Sequence, residues 1–408
     1  MNVRTEPVPP GRPLSGLERV WLAADRMAPP FVNQCVLTHL PALDAERLGQ
    51  AVERAGFAHP GTRVRLAGRL RATRWVVDGP GPRFTVLEGT TWLARSEAGA
   101  PFLAAALSPL RGPVCEVLWL PSNTPETRHL IIRTHHAALD GRGTQLFIED
   151  LLGLYDGKPP LGAEAGPTFD LEMVRATGAG GPHLQARLEP AADAIAPTGA
   201  AGPSTQHTWR RVTLPPPLGP VLPRVLRALV NAIEDLAVGA SAEHEPLRIG
   251  LPVDLRRYVP ELRSSANLTG VAPLELPRPA PELAALTAAI EAAARGPAAP
   301  GHVLAGDRLR GTPLWLMTLA GRLAAPSLRK RGRYPISASV SNLGRHAWQI
   351  AGTPLRAFWV PPPSPGLPLF LSLCGTRDAL ELCAGAPAGL ADGGRLDALL
   401  TALIKHLA

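Results

Sequence analysis

The stretch Leu130-Ile131-Ile132-Arg133-Thr134-His135-His136-Ala137-Ala138-Leu139-Asp140-Gly141-Arg142-Gly143 changes character twice. A β-type apolar run stops at two histidines, and a short turn then ends in Asp-Gly. An amphipathic pattern follows, in which Leu146, Phe147, Leu151, Leu152 and Leu154 share a face. The pattern predicts a strand, a loop and a helix over 144–155, with His135, His136 and Asp140 on the strand-to-helix loop. Such loops hold functional side chains on a rigid scaffold. If strand geometry runs through the pair, the two imidazoles face opposite sides, so one packs and the other is available. A neutral imidazole, with an ordinary pKa of ~6.5, accepts a proton from a hydroxyl or amine attacking an acyl carbon. The same residues also suit two plainer roles. One is a hydrogen-bonded structural pair; the other is a metal site using both histidines and Asp140, although no further ligand cluster stands out. Asp140-Gly141 alone is an ordinary turn signal.

Outward from this stretch, Asp44 is placed to cap a helix in which Leu48, Ala51, Val52 and Ala55 recur at helical spacing. β-type runs cover 74–77, 83–87, 114–120 and 129–134. From 158 to 208 the chain is rich in Gly, Ala and Pro, as in Gly178-Ala179-Gly180-Gly181-Pro182, and reads as a linker or crossing loop. Beyond it the pattern predicts helices over 222–238, 282–294, 314–323 and 395–407. Strands are predicted over 247–251, 336–341, 355–360, 369–374 and 380–384. Both sides of the break mix α with β. The expected class is α/β (α+β), with an N-terminal subdomain 1–157, a linker 158–208 and a C-terminal subdomain 209–408.

The chain has 408 residues, 45% hydrophobic and 19% charged, which excludes wholesale disorder. Its formal charge is +8, yet Lys158, Lys330 and Lys405 are the only lysines among 42 basic residues, and the arginines are scattered. We read the charge as compositional background, and nucleic-acid binding is not expected. Arg329-Lys330-Arg331-Gly332-Arg333 is the densest local cluster and a candidate contact for an anionic partner. Cys35, Cys115, Cys374 and Cys383 lack CxxC or CxH spacing, so neither a zinc site nor a disulfide framework is expected. The N-terminal residues Met1 to Pro7 lack an apolar leader region, and no run approaches the ~18 apolar residues of a membrane helix. The expectation is a soluble, cytoplasmic protein.

His135, His136, Asp140 and Gly141 together resemble the HHxxxDG motif of the condensation-domain superfamily, and Gly143 matches its DGxG form. This superfamily includes chloramphenicol acetyltransferase, carnitine and plant acyltransferases, nonribosomal peptide condensation domains, and polyketide-associated and alcohol acyltransferases. Other segments fit in order. Leu14-Ser15-Gly16-Leu17-Glu18-Arg19 resembles the opening of bacterial members, as does His59-Pro60-Gly61-Thr62-Arg63 after the first long helix. Gly250-Leu251-Pro252-Val253-Asp254-Leu255-Arg256, followed by Asn267, resembles the element carrying the family's arginine. Ser341-Asn342-Leu343-Gly344 is similar to the SNxG element of the alcohol-acyltransferase branch. The plant-type DFGWG element is absent.

The resemblance implies two chloramphenicol-acetyltransferase-like subdomains arranged as a V with a tunnel between them. It implies that His136 is the general base and His135 structural, that Asp140 orients the loop and pairs with Arg256, and that Gly141 leaves room for a thioester arm. Ser341 and Asn342 would contact the acyl group or its developing oxyanion. The implied reaction moves an acyl group from a carrier-protein or coenzyme A thioester to an alcohol or amine, forming an ester or amide in secondary-metabolite biosynthesis. It needs no metal or cofactor. Arg329, Lys330, Arg331 and Arg333 would then meet the donor, and a monomer is expected. The alternative is a catalytically inactive docking or scaffold protein of a biosynthetic assembly line.

Overall fold

Two mixed β-sheets organise the chain in a computed structural model that describes residues 11–166, 194–199, 202, 206–216, 219–236, 245–259, 261–295 and 309–407. Most of the expected linker, including Gly178 to Pro182, lies outside the described residues, as do Met1 to Pro7. The first sheet contains β1 (Val32–Thr38), β2 (Arg83–Val86), β3 (Cys115–Leu120), β4 (His129–His135) and β9 (Arg356–Val360). Its order is β9-β1-β4-β3-β2. The second contains β5 (His207–Leu214), β6 (Leu247–Asp254), β7 (Thr269–Leu276), β8 (Ala338–Arg345), β10 (Phe370–Gly375) and β11 (Leu380–Pro387). There the order is β7-β6-β8-β10-β11-β5.

The central strand β4 is buried on both faces, which explains its unbroken apolar run. Period-two alternation sends Leu130 and Ile132 into one core with Leu48, Val52 and Phe147. Ile131 goes into another with Trp92, Trp209 and Phe358. The first of these cores is covered by α2 (Ala45–Ala58) and α3 (Gly141–Tyr155). As predicted, Asp44 caps α2, its Oδ1 accepting from the Arg47 amide at 2.7 Å, and Leu48, Ala51, Val52 and Ala55 form its buried face. The second sheet is covered by α4 (Val221–Asp235), α5 (Leu283–Arg295) and α7 (Arg395–Leu407). The N-terminal helix α1 (Gly16–Met27) opens on a capping box between Ser15 and Glu18 and packs against α6 (Leu314–Arg331).

Within these two sheets, three strands escape the periodicity analysis, each for a physical reason. β1 carries Asn33 and Gln34 in its interior, made tolerable because Asn33 donates to the Leu139 carbonyl at 2.8 Å and Gln34 accepts from Arg133 at 3.0 Å. β7 includes Gly270 and Pro273, which an edge strand accommodates. β5 begins inside the glycine- and proline-rich region and shows little alternation. The helix expected over 314–323 runs on to Arg331, past the exposed Pro326.

The two sheets are tied together. β9, late in the chain, completes the first sheet by pairing with β1 from Arg356 opposite Thr38 to Val360 opposite Gln34. From the second sheet, the Arg211 amide donates to the Arg95 carbonyl at 2.9 Å and the Trp209 amide to Glu97 at 3.1 Å. Among the described residues no helix is long and apolar enough to cross a membrane, and all four cysteines are buried and free.

Candidate active site

The strand β4 ends at His135, and the two histidines part there. His135 is fully buried. The Ala137 amide donates to its Nδ1 at 3.2 Å, which leaves Nε2 facing the Asp25 carboxylate at 3.5 Å. His136 is half-buried, and its backbone amide donates to the Phe31 carbonyl at 3.1 Å. Its ring stacks on Phe31, with centroids 5.1 Å apart, and lies 5.6 Å from Trp21. Burial, foremost, pushes its pKa below the ordinary histidine value, with the nearby His135 acting in the same sense. Its contact with its own carbonyl and the charge of Asp140 act the other way. The neutral form therefore prevails at neutral pH.

Asp140 caps α3 and is the hub joining the two halves of the chain. Its Oδ1 accepts from the Gly143 amide at 2.7 Å and from Arg256 Nη2 at 3.0 Å. Its Oδ2 accepts from Arg256 Nη1 at 2.9 Å, the Leu268 amide at 2.8 Å and Thr269 Oγ1 at 3.0 Å. Burial acts to raise its pKa, but Arg256 and these hydrogen bonds hold the carboxyl below its ordinary value. A carboxylate so fully occupied is a structural anion with no lone pair left for a substrate proton. Arg256 is fixed in turn by Asp254 at 2.8 Å and by the carbonyls of Ser264 at 2.9 Å and Ala266 at 2.5 Å.

Close approach of this 264–269 segment explains Gly143. A Cβ there would lie 2.3 Å from the Ser265 carbonyl oxygen, and backbone cannot yield as a flexible side chain can. Helix propensity alone would make Gly143→Ala stabilising by about 1 kcal/mol. The contact instead predicts a net loss of about 1–3 kcal/mol, read as a lower urea midpoint; an unchanged or raised midpoint would show that the contact is not tight. At Gly141 a Cβ would meet only the end of the Leu343 side chain, 2.8 Å away.

His136 and Gly141 line a cavity of about 510 Å³ whose walls include Trp21, Phe31, Trp359 and Phe370. Ser341 and Asn342 line it as well. Asn342 already spends its Oδ1 on the Gly344 amide at 3.1 Å, so its amide nitrogen is what it has left to offer. The basic cluster is divided. Arg333 ion-pairs with Glu245, Lys330 is exposed, and Arg331 makes contacts of its own, whereas Arg329 lines a separate cavity.

The residue whose importance the sequence understates is Asn267. Its Nδ2 donates to the His136 carbonyl at 2.5 Å and lies 3.2 Å from His136 Nδ1. With Nδ1 engaged on this side, Nε2 is the ring nitrogen left for a ligand. Asn267 had marked itself only by its place after the Arg256 element, because its partner is 131 residues away.

No protein-family model and no curated protein matches the sequence. Solved structures do match. The starter condensation domain of rhizomide synthetase superposes with a TM-score of 0.60 at 17% identity, covering 98% of this chain and 95% of that one. A double mutant of that domain has been crystallised in complex with C8-CoA and Leu-SNAC. The epimerization domain from the third module of tyrocidine synthetase B gives 0.67 at 16% identity, over 100% and 97% of the two chains. A structure describing condensation domain-mediated chain release from the enacyloxin polyketide synthase gives 0.58 at 19%, over 100% and 83%. With its HHxxxDG loop at the junction of two mixed sheets, the chain has the condensation-domain fold.

Proposed function

We propose that this chain is a condensation-type acyltransferase in which His136 is the general base. The observation that carries the reading is a neutral imidazole, held by Asn267 and the Asp140–Arg256 hub, at the wall of a largely apolar cavity of about 510 Å³. His136 Nε2 takes the proton of an alcohol or amine as its oxygen or nitrogen attacks a thioester carbonyl. The tetrahedral intermediate collapses, the C–S bond breaks, and the imidazolium returns the proton to the departing thiolate. General-base help is worth ~10²–10⁴-fold, and alignment of two substrates in the cavity supplies much of the remainder. Ser341 and the Asn342 amide nitrogen are the side chains proposed to meet the acyl oxygen.

The donor is an acyl thioester of coenzyme A or of a carrier protein. The complex of the rhizomide starter domain with C8-CoA and Leu-SNAC supports a thioester donor and an amine acceptor for this fold. Donor and acceptor would reach His136 from opposite sides of the junction, the tunnel arrangement that the fold family implies.

The pH dependence tests the base. Because burial lowers the pKa of His136, kcat/KM should stay level down to below pH ~6.5 and only then fall about tenfold per pH unit as the imidazole takes up a proton. An acid limb that begins above ~6.5 would remove His136 from the role.

A further inference from the structure

A second cavity, of about 390 Å³, adjoins that of His136, and the two share Ser364, Pro365, Gly366 and Leu367. Its wall is largely apolar, with Met27, Pro29, Pro363 and Leu390 among its residues, and no Asp or Glu among the described residues lines it. Arg322 and Arg329 do line it. Arg322 donates to the Arg26 carbonyl at 2.9 Å, and neither guanidinium is ion-paired with a carboxylate among the described residues.

Tyr334 also lines this cavity. Its side chain is 2% exposed, and its hydroxyl is buried without a hydrogen-bond partner among the described residues. A buried hydroxyl in that state carries an uncompensated desolvation cost, which an acceptor arriving with a ligand would relieve. Burial raises the phenol's pKa above its ordinary value, so the group is a proton donor at neutral pH. His207, on the same wall, is pushed down to about 4 by burial and is neutral there. The polar residues that line the cavity are thus Arg322, Arg329 and Tyr334 together with the neutral Gln206, His207 and Ser364.

We propose that this cavity binds an oxyanion of a substrate between Arg322 and Arg329, with the Tyr334 hydroxyl donating to it. The remainder of the substrate passes the 364–367 wall to reach His136. Guanidinium groups recognise phosphate and carboxylate through charge-assisted, often bidentate hydrogen bonds. On the donor side the pantetheine arm brings a phosphate, and on the acceptor side an alcohol or amine that also carries a carboxylate would bring the other. The site rests on the acyl-transfer reading only for what lies at the other end of the bound molecule.

Calorimetric titration with two matched pairs of probes separates these sources. Coenzyme A is compared with pantetheine, which lacks the phosphates, and leucine with leucinamide, which lacks the carboxylate. The unmodified protein should bind the charged member of one pair at least about tenfold more tightly. Arg329→Gln and Tyr334→Phe should each reduce that preference, whereas Lys330→Gln, at an exposed neighbour outside the lining, should keep it. Absence of a preference in both pairs, or a preference that survives both variants, overturns the proposal. The readout needs no turnover, so His136→Ala should keep the preference. A protein that shows the preference yet transfers no acyl group would defeat the acyltransferase reading and leave the oxyanion site standing.

Discussion

Arg256→Ala should cost about 3–5 kcal/mol of stability, a large share of the ~5–15 kcal/mol that holds a typical domain together. The argument is one of unequal magnitudes. An exposed ion pair contributes only ~0–1 kcal/mol, but the side chains of Asp140 and Arg256 are 1% and 6% exposed. Removing the guanidinium leaves a carboxylate in the interior with three donors, Gly143, Leu268 and Thr269, and no counter-charge. It also abandons the Ser264 and Ala266 carbonyls. Arg256→Lys should fall between, since an ammonium restores the charge without the two-pronged geometry. Urea denaturation of the three proteins is the measurement. A loss below about 1 kcal/mol for the alanine variant, the range of exposed pairs, would mean that the hub does not hold the halves together. Activity should fall with stability, because the same segment carries Asn267 to His136.

His136→Ala should lower kcat for acyl transfer by roughly 10²–10⁴-fold while changing KM little. The ring borders the cavity and stacks on Phe31 without filling a core position, so the variant should keep its fold. A KM effect with unchanged kcat would recast His136 as a binding group. A rate within about tenfold of the unmodified protein, less than the smallest general-base contribution, would exclude it as the base.

Much of this was readable in the sequence wherever the signal is local. The apolar run ending at the histidines, the Asp44 cap and the helical spacing of Leu48 to Ala55 each concern residues within a few turns of one another. The two histidines do differ in burial, but they part because the strand ends at His135 and His136 begins the turn, not because alternation runs through both. The pairing of Arg256 with Asp140 came from resemblance, since nothing in spacing joins residues 116 apart. What remained hidden depends on distant partners. β1 reads as too polar until Thr134, Leu139 and Arg133 satisfy its Asn33 and Gln34. β9 gives no hint that it crosses to the first sheet. The Arg329 to Arg333 cluster reads as one patch, but Glu245 occupies Arg333 while Arg329 lines a cavity.

The central claim is that His136 moves a proton during acyl transfer from a thioester. The most direct test is mass-spectrometric detection of ester or amide product from acyl-coenzyme A and acyl-carrier-protein donors, with alcohol and amine acceptors, using the unmodified protein beside His136→Ala. The account predicts product from the unmodified protein and at least a hundredfold less, about the lower bound of general-base catalysis, from a folded His136→Ala. Product formed equally by both, or by neither with any donor and acceptor, would contradict it.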